Sequence, residues 1–318
     1  MTRLSPATLV RLTVAVALTA VLLWKAHPEA VLHVAAHAGV GWIGAAVLLV
    51  LVDRGLMAYR WLVLLCPIDE RPPFAAVIRV FFVSTFLGTF LPASVGGDAV
   101  RAYGLARLRV APGPAVASVL MDRLLGVLSI VLVGIAGLIA AGGGGLMSNR
   151  AIDLSLAVAI AACAAAGLVV FSERAAALAT AVAMRLPSAG LRKVAASLTQ
   201  ATRAYSRHHG PLATVLGASI GVQLLRITQA WCLGRALGIA APPAVYFTFI
   251  PLILLVMLLP VSINGIGTSQ VAFVWFFGQA AVPQAESFAL SVLFVALGVV
   301  GNLPGGVLYA IAPRGQTI

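Results

Sequence analysis

Six stretches of this sequence are each about as long and as apolar as a bilayer is thick. A helix crosses the hydrocarbon core with about 20 mostly apolar residues. Residues 8–24, 40–65, 114–141, 151–171, 211–234 and 286–312 meet that demand. No water is present in the core to pair with backbone groups, so runs of this length read as helices. Composition points the same way: 61% of the 318 residues are apolar and only 9% are charged, against roughly 25% charged in a soluble domain. The mean hydropathy is +1.06. These values exclude a soluble globular chain and a disordered one. The apolar segments are evenly spread, which predicts a single transmembrane domain over 1–318 with no room for a soluble catalytic domain.

Two regions depart from the simple span. Residues 74–109 and 244–280 each carry an apolar run, a Pro and Gly-rich break, and a second helical run. Proline removes a backbone donor and glycine breaks a helix, so both read as broken-helix hairpins. The arginines orient them. With the N-terminus cytoplasmic, a re-entrant hairpin at 74–109 keeps Arg107 and Arg109 inside, and the most basic loop, about 172–210, also falls inside. Region 244–280 has no Lys or Arg and turns back to the outside; both termini end in the cytoplasm. The expected fold is therefore all-α and polytopic, with about six full transmembrane helices and two oppositely oriented re-entrant hairpins. The membrane implied is a bacterial-type cytoplasmic (inner) membrane. Arg3 and Arg11 ahead of Leu12–Trp24 also fit a signal peptide, but a retained first helix suits a polytopic protein better.

The two turns resemble each other. Leu91-Pro92-Ala93-Ser94-Val95-Gly96-Gly97 aligns with Leu259-Pro260-Val261-Ser262-Ile263-Asn264-Gly265, 168 residues on, and Trp61 with Trp231, 170 on. This predicts repeat 1 over about 40–141, a basic connector over about 172–210, and repeat 2 over about 211–312. Opposed copies with broken helices near the midplane are a transporter signature.

The net charge is +12, and 19 of the 21 basic residues are Arg. Basic loops between apolar spans account for this better than nucleic-acid binding does. Arg54, Arg60, Arg79, Arg101, Arg123 and Arg226 fall in or near apolar segments, where a central Arg costs about 2.5–3.5 kcal/mol. Arg60 and Arg79 lie near span ends and can snorkel. Arg54, Arg123 and Arg226 lie about 14–22 Å along their spans at 1.5 Å per residue. The acidic companions are Asp53, Asp98 and Asp122. Asp53–Arg54 and Asp122–Arg123 are sequence neighbours and are expected not to pair within their own helices. The excess of positive charge calls for an anion, and the Arg fork suits phosphate. Half-helices starting near Asp98 and Thr268 would add backbone donors, with Gly96, Gly97, Gly265 and Gly267 letting a ligand approach and Ser94, Ser262 and Asn264 available as partners or caps. The three cysteines and the His27, His33, His37 group have no metal spacing, and no nucleotide-binding or triad motif is present. No cofactor is expected, and the chain does not read as an enzyme.

P-x-S-x-G-G-D-x-x-R over Pro92–Arg101, Asp122-Arg123, and P-x-S-I-N-G-I-G in the second half resemble the lysylphosphatidylglycerol synthase transmembrane-region family, also called flippase-like domain proteins. The resemblance implies a membrane lipid translocator. Its partner would be an anionic lipid (a phospholipid, a polyprenyl-phosphate or a hopanoid-type lipid), and no nucleic acid. The positions implied by motif are Gly96, Gly97, Asp98, Arg101, Arg123, Asn264, Gly265 and Gly267. In the resulting picture Arg54, Arg101 and Arg123, near Asp122, hold the phosphate, and Arg226 receives it on the outer side. The soluble transferase domain of two-domain members is missing from these 318 residues. Gln270 stands where the family often carries an acidic residue. Two rival readings remain: an accessory subunit partnered with a lipid-modifying enzyme, or a membrane-embedded enzyme acting on a lipid phosphate.

Overall fold

The structure is a computed structural model that describes residues 29, 38–68, 72–90, 95–140, 174–175, 177–178, 181, 196, 205, 208–258 and 267–311. These residues form eight helices and no strand. They are α1 (Val40–Val63), α2 (Phe74–Phe90), α3 (Val95–Arg107), α4 (Pro112–Ala140), α5 (His209–Ala236), α6 (Pro243–Met257), α7 (Thr268–Gln279) and α8 (Gln284–Ala310). Four of them, α1, α4, α5 and α8, are long and apolar enough to cross a bilayer. They correspond to the expected spans 40–65, 114–141, 211–234 and 286–312. Spans 8–24 and 151–171 lie outside the described residues, as does most of the connector 172–210.

Helix boundaries follow from local chemistry. Pro112 and Pro243 open α4 and α6, where a missing backbone N–H costs nothing. Beyond α5, Gly238 takes φ +77°; Ile239 N–H then reaches the Gly234 carbonyl at 2.9 Å, and Gly238 N–H reaches that of Arg235 at 3.2 Å. That double bond satisfies carbonyls the helix end would otherwise orphan. α3 and α7 end by the same motif with non-glycine residues, Arg109 at φ 64° and Ala281 at φ 56°.

Both interrupted regions fold back on themselves. In the first, a Cβ placed on Gly88 would lie 3.0 Å from Gly97 Cα, and Gly104 faces Val80. α2 and α3 therefore run antiparallel, at backbone distance near the turn. In the second, Tyr246 meets Phe277 with ring centroids 5.2 Å apart, and Phe249 meets Phe276 at 5.6 Å. α6 and α7 are likewise antiparallel.

The packing of the two halves corresponds. α1 and α5 lie against each other; α2 packs on α8 as α6 packs on α4; α3 contacts α4 as α7 contacts α8. α1 and α5 run antiparallel. At one end Gly39 N–H donates to the Ala236 carbonyl at 2.8 Å and Trp42 meets Trp231 edge-on. At the other, the Tyr205 hydroxyl donates to the Leu64 carbonyl. A Cβ on Gly305 of α8 would collide with the Phe82 carbonyl of α2, and one on Gly137 of α4 with the Phe247 carbonyl of α6. Gly137 and Gly305 are 168 residues apart, the offset of the two turns. Small residues let helices approach closely where lipid gives no hydrophobic drive for association.

The interiors differ. Around the second hairpin, Tyr246, Phe249, Phe273 and Phe277 fill one large apolar cluster with α1, α4, α5 and α8. The first hairpin has a smaller apolar cluster, centred on Trp61, Val80, Phe81 and Leu105, at its open end.

Substituting Val at Gly305 or at Gly137 is expected to cost about 1–3 kcal/mol, the usual penalty of overpacking. The two should behave alike, whereas Gly298→Ala, where a Cβ meets nothing, should be neutral. Unfolding curves of the three purified variants in one detergent check this.

Candidate functional site

The polar residues that the apolar sequence carries gather where the first hairpin meets α1, α4 and α5. Asp122 on α4 is their centre. Its Oδ1 accepts from Arg60 Nη2 and its Oδ2 from Arg101 Nη1 at 3.1 Å. Arg60 Nη2 also donates to the Asp122 carbonyl at 3.1 Å. The Arg101 guanidinium lies 5.1 Å from the Trp61 ring centroid and 4.8 Å from that of Phe81. All three charged residues are buried. A guanidinium flanked by aromatic faces and held by a carboxylate is fixed in position as well as in charge.

A second pair lies at the edge of this cluster. Arg123 grips Asp98 with both ends of its fork, Nε to Oδ2 at 2.8 Å and Nη2 to Oδ1 at 3.0 Å. Its side chain is 47% exposed, in contrast to the buried trio. The third carboxylate, Asp53, is 1% exposed and lies between two arginines, with Arg54 Nη1 at 3.4 Å and Arg226 Nε at 3.7 Å. Arg54 also donates to Met57 Sδ at 3.1 Å, and Arg226 to the same sulfur at 3.5 Å.

These groups line a cavity of about 290 Å³. Its wall includes Gly88, Thr89 and Gly97 from the tip of the first hairpin, Leu258 from the end of α6, and Gln223 and Asn302 from α5 and α8. A neighbouring compartment of about 210 Å³ is lined by Asp53, Gln229 and Gly298, and shares Arg54, Arg226 and Asn302 with the first. Arg54, Arg60, Arg101, Arg123 and Arg226 face Asp53, Asp98 and Asp122 across the two, five positive charges against three negative.

Of the residues singled out from the sequence, Arg54, Gly97, Asp98, Arg101, Asp122, Arg123 and Arg226 line the first cavity. Gly96 lies in the first turn of α3, half-buried and outside the lining. Gly267 lies away from the cavity. It is the N-cap of α7 at φ +88°, a conformation that favours glycine, and its N–H donates to Gln270 Oε1 at 2.6 Å. Ser269 Oγ is 3.0 Å from the same oxygen, so Gln270 caps its own helix. Ser94, Ser262, Asn264 and Gly265 lie outside the described residues. Among the described residues no group of His, Cys, Asp and Glu could hold a metal ion.

Two pairing expectations are corrected. Arg60 does not snorkel; it is buried against Asp122 across 62 positions of sequence. Asp53 and Arg54 do meet within one helix, because at 3.4 Å the flexible arginine curls back to its neighbour. Gln223, Gln229 and Asn302 escaped the sequence reading, which followed charge within the long spans and polar or glycine residues only at the two turns. Their polar amides in apolar spans were the available signal.

The model of a family described as the lysylphosphatidylglycerol synthase TM region matches residues 8–305. Comparison with curated proteins gives no match.

Removing the central carboxylate leaves two buried arginines without a counter-charge, so Asp122→Asn should cost about 3–5 kcal/mol. Asp98→Asn removes a half-exposed pair and should cost less than about 1 kcal/mol. Denaturant unfolding of both variants in the same micelle reads the difference; equal losses would remove Asp122 from its central place.

Proposed function

The chain belongs to the lysylphosphatidylglycerol synthase transmembrane-region family, and from that premise we propose that this integral membrane protein moves an anionic, phosphate-bearing lipid between leaflets. The observation that carries the reading is the excess of arginine over aspartate around one cavity, five against three. Charges of one sign packed at membrane depth raise each other's cost. A bound head group with a negative phosphate offsets that excess, while its tails stay in the bilayer.

The corresponding packing of the two halves, with antiparallel α1 and α5, supports an inverted repeat. On this reading the hairpins 74–109 and 244–280 are re-entrant and enter from opposite faces. Both contribute to the cavity wall, through Thr89 and Leu258. A site between two opposed hairpins near the midplane is the arrangement from which alternating access is built. The basic loops favour a reading with both termini on the cytoplasmic side, in an inner membrane.

The two kinds of ion pair divide the work. Arg60, Asp122 and Arg101 form a buried frame that holds the tip of the hairpin. Arg123 and Asp98 form the pair that a substrate opens. An exposed ion pair contributes about 1 kcal/mol or less, so a phosphate can take Arg123 from Asp98 at small cost. Arg54 and Arg226 already share a single carboxylate and keep donors for a second anion. No nucleotide-binding motif is present in the sequence. Movement is then passive or driven by an ion or the membrane potential, with Asp98 as the accessible carboxylate.

Leaflet exchange of fluorescent lipids in proteoliposomes tests this. Wild type should exchange an anionic phospholipid faster than a zwitterionic one. Arg123→Gln and Arg226→Gln should each slow the anionic lipid roughly tenfold or more, since a hydrogen bond from a charged group contributes about 1.5–3 kcal/mol. Equal exchange of both lipids, unchanged in the two variants, would sink the reading.

A further inference from the structure

We propose that a groove at the open end of the first hairpin holds an anionic phospholipid of the surrounding leaflet as a resident lipid, separate from anything that passes through the central cavity. The groove measures about 730 Å³, within the range of roughly 300–1,000 Å³ usual for small-molecule sites. It shares no lining residue with the cavity around Asp122. Three helix ends bound it: Phe74 opens α2, Arg107 closes α3, and Leu308 lies in the last turn of α8. Its floor is apolar, made by Phe74, Ile78, Leu108 and Leu308, and Arg79 and Arg107 line it as well. Among the described residues no carboxylate lines it. Arg79 is the only charged residue of α2. Of the six arginines in or near apolar segments, it is the one that the cavity leaves out.

Register brings the two arginines together. A Cβ on Gly104 would lie 2.7 Å from Val80 Cγ1, and α2 and α3 run antiparallel. Arg107, three residues past Gly104 on the same helical face, therefore comes level with the stretch of α2 that carries Arg79. Arg79 lies five residues into α2, about 7.5 Å at 1.5 Å per residue, so its stem can carry the guanidinium to head-group level. Phe74 is 68% exposed, so the space opens to the bilayer and not into the bundle. The lining narrows the ligand. A free phosphate meets the arginines and leaves the apolar floor uncovered. A zwitterionic lipid covers the floor and brings no net negative charge to two guanidinium groups that repel each other. A phosphate with acyl chains and a net negative charge answers both demands. Basic pockets between membrane helices are a recurrent seat for anionic head groups, and the Arg fork pairs phosphate oxygens. A phosphate bridging Arg79 and Arg107 ties α2 to α3 at the end away from the turn, with a chain against α8. The hairpin that carries Asp98 and Arg101 is then held at both ends.

Native mass spectrometry of the purified full chain tests this, with phosphatidylglycerol, phosphatidylcholine or inorganic phosphate added. A chain with Arg123→Gln and Arg226→Gln, its cavity weakened, should still retain one phosphatidylglycerol, at least tenfold over phosphatidylcholine. Adding Arg79→Gln and Arg107→Gln should weaken that retention tenfold or more. Ala75→Trp, which fills the groove from an exposed lining position and keeps both arginines, should do the same. The proposal is overturned if retention survives loss of Arg79 and Arg107. It is overturned equally if wild type holds phosphatidylcholine or inorganic phosphate as well as phosphatidylglycerol, a comparison that needs no variant to fold. A cavity-weakened chain that unfolds at the wild-type temperature and retains no phosphatidylglycerol would mean that the groove is filled from within the chain, and also overturns it. Retention that depends on Arg79 and Arg107, together with leaflet exchange indifferent to Arg123 and Arg226, would leave the resident lipid standing while the cavity reading fails.

Discussion

One carboxylate holds two arginines in the middle of an apolar helix bundle, and the geometry of the cavity depends on it. Asp122 ties α1 through Arg60 and α3 through Arg101 to its own helix, α4. Neither arginine is affordable at that depth alone, and the carboxylate is no cheaper. Together they form a polar centre at the cavity wall, in which Trp61 and Phe81 flank the Arg101 guanidinium. Such a centre contributes little net stability compared with apolar packing of the same volume. What it supplies is placement. The tip of the first hairpin is fixed, with Gly97 backed against Gly88, so Asp98 meets Arg123 at the cavity edge.

The two halves share a scaffold and differ in chemistry. α2 meets α8 at Gly305 and α6 meets α4 at Gly137, so the corresponding helix pairs of the two halves make the same kind of contact. Yet 168 positions beyond Asp98, Arg101, Asp122 and Arg123 stand Ile266, Ser269, Leu290 and Ser291. Where the first half carries charge at these positions, the second carries small or apolar residues, and its hairpin is filled by a stack of aromatic rings. Gln270 belongs to the uncharged second hairpin and uses its side chain as a cap. Apart from Arg226 on α5, the charged residues of the site thus come from the first half, with α5 and α8 of the second closing it.

Much of this was legible in the sequence, because the strongest constraint there is local. Twenty apolar residues need a helix wherever they lie, and a Pro-Gly break ends one, so the four described spans and the two helix pairs follow from composition and order. The gathering of arginines was legible as a charge excess. Their partners were not, since pairing is decided by which helix faces touch. Asp98 and Arg101 share a helical face three residues apart, yet each bonds to α4 instead. Arg60 looks like an interfacial residue by its distance from the end of α1, but the hairpin and α4 cover that end. Uncharged Asn302 and Gln229 gave a weaker signal than any arginine, and only their buried, unpaired atoms reveal them.

The glycine contacts have a mechanical consequence. Carbonyl against glycine leaves no slack, so α2 travels with α8 and α6 travels with α4. Each tightly packed pair therefore joins a helix of the first half to one of the second, and the seam between the pairs does not follow the boundary between the halves. Asp122 stands on that seam, joining α4 of one block to α3 of the other. Any hinge motion has to shear the molecule at its most polar point, where neighbouring charges can be traded and a greasy interface would have to be pulled apart.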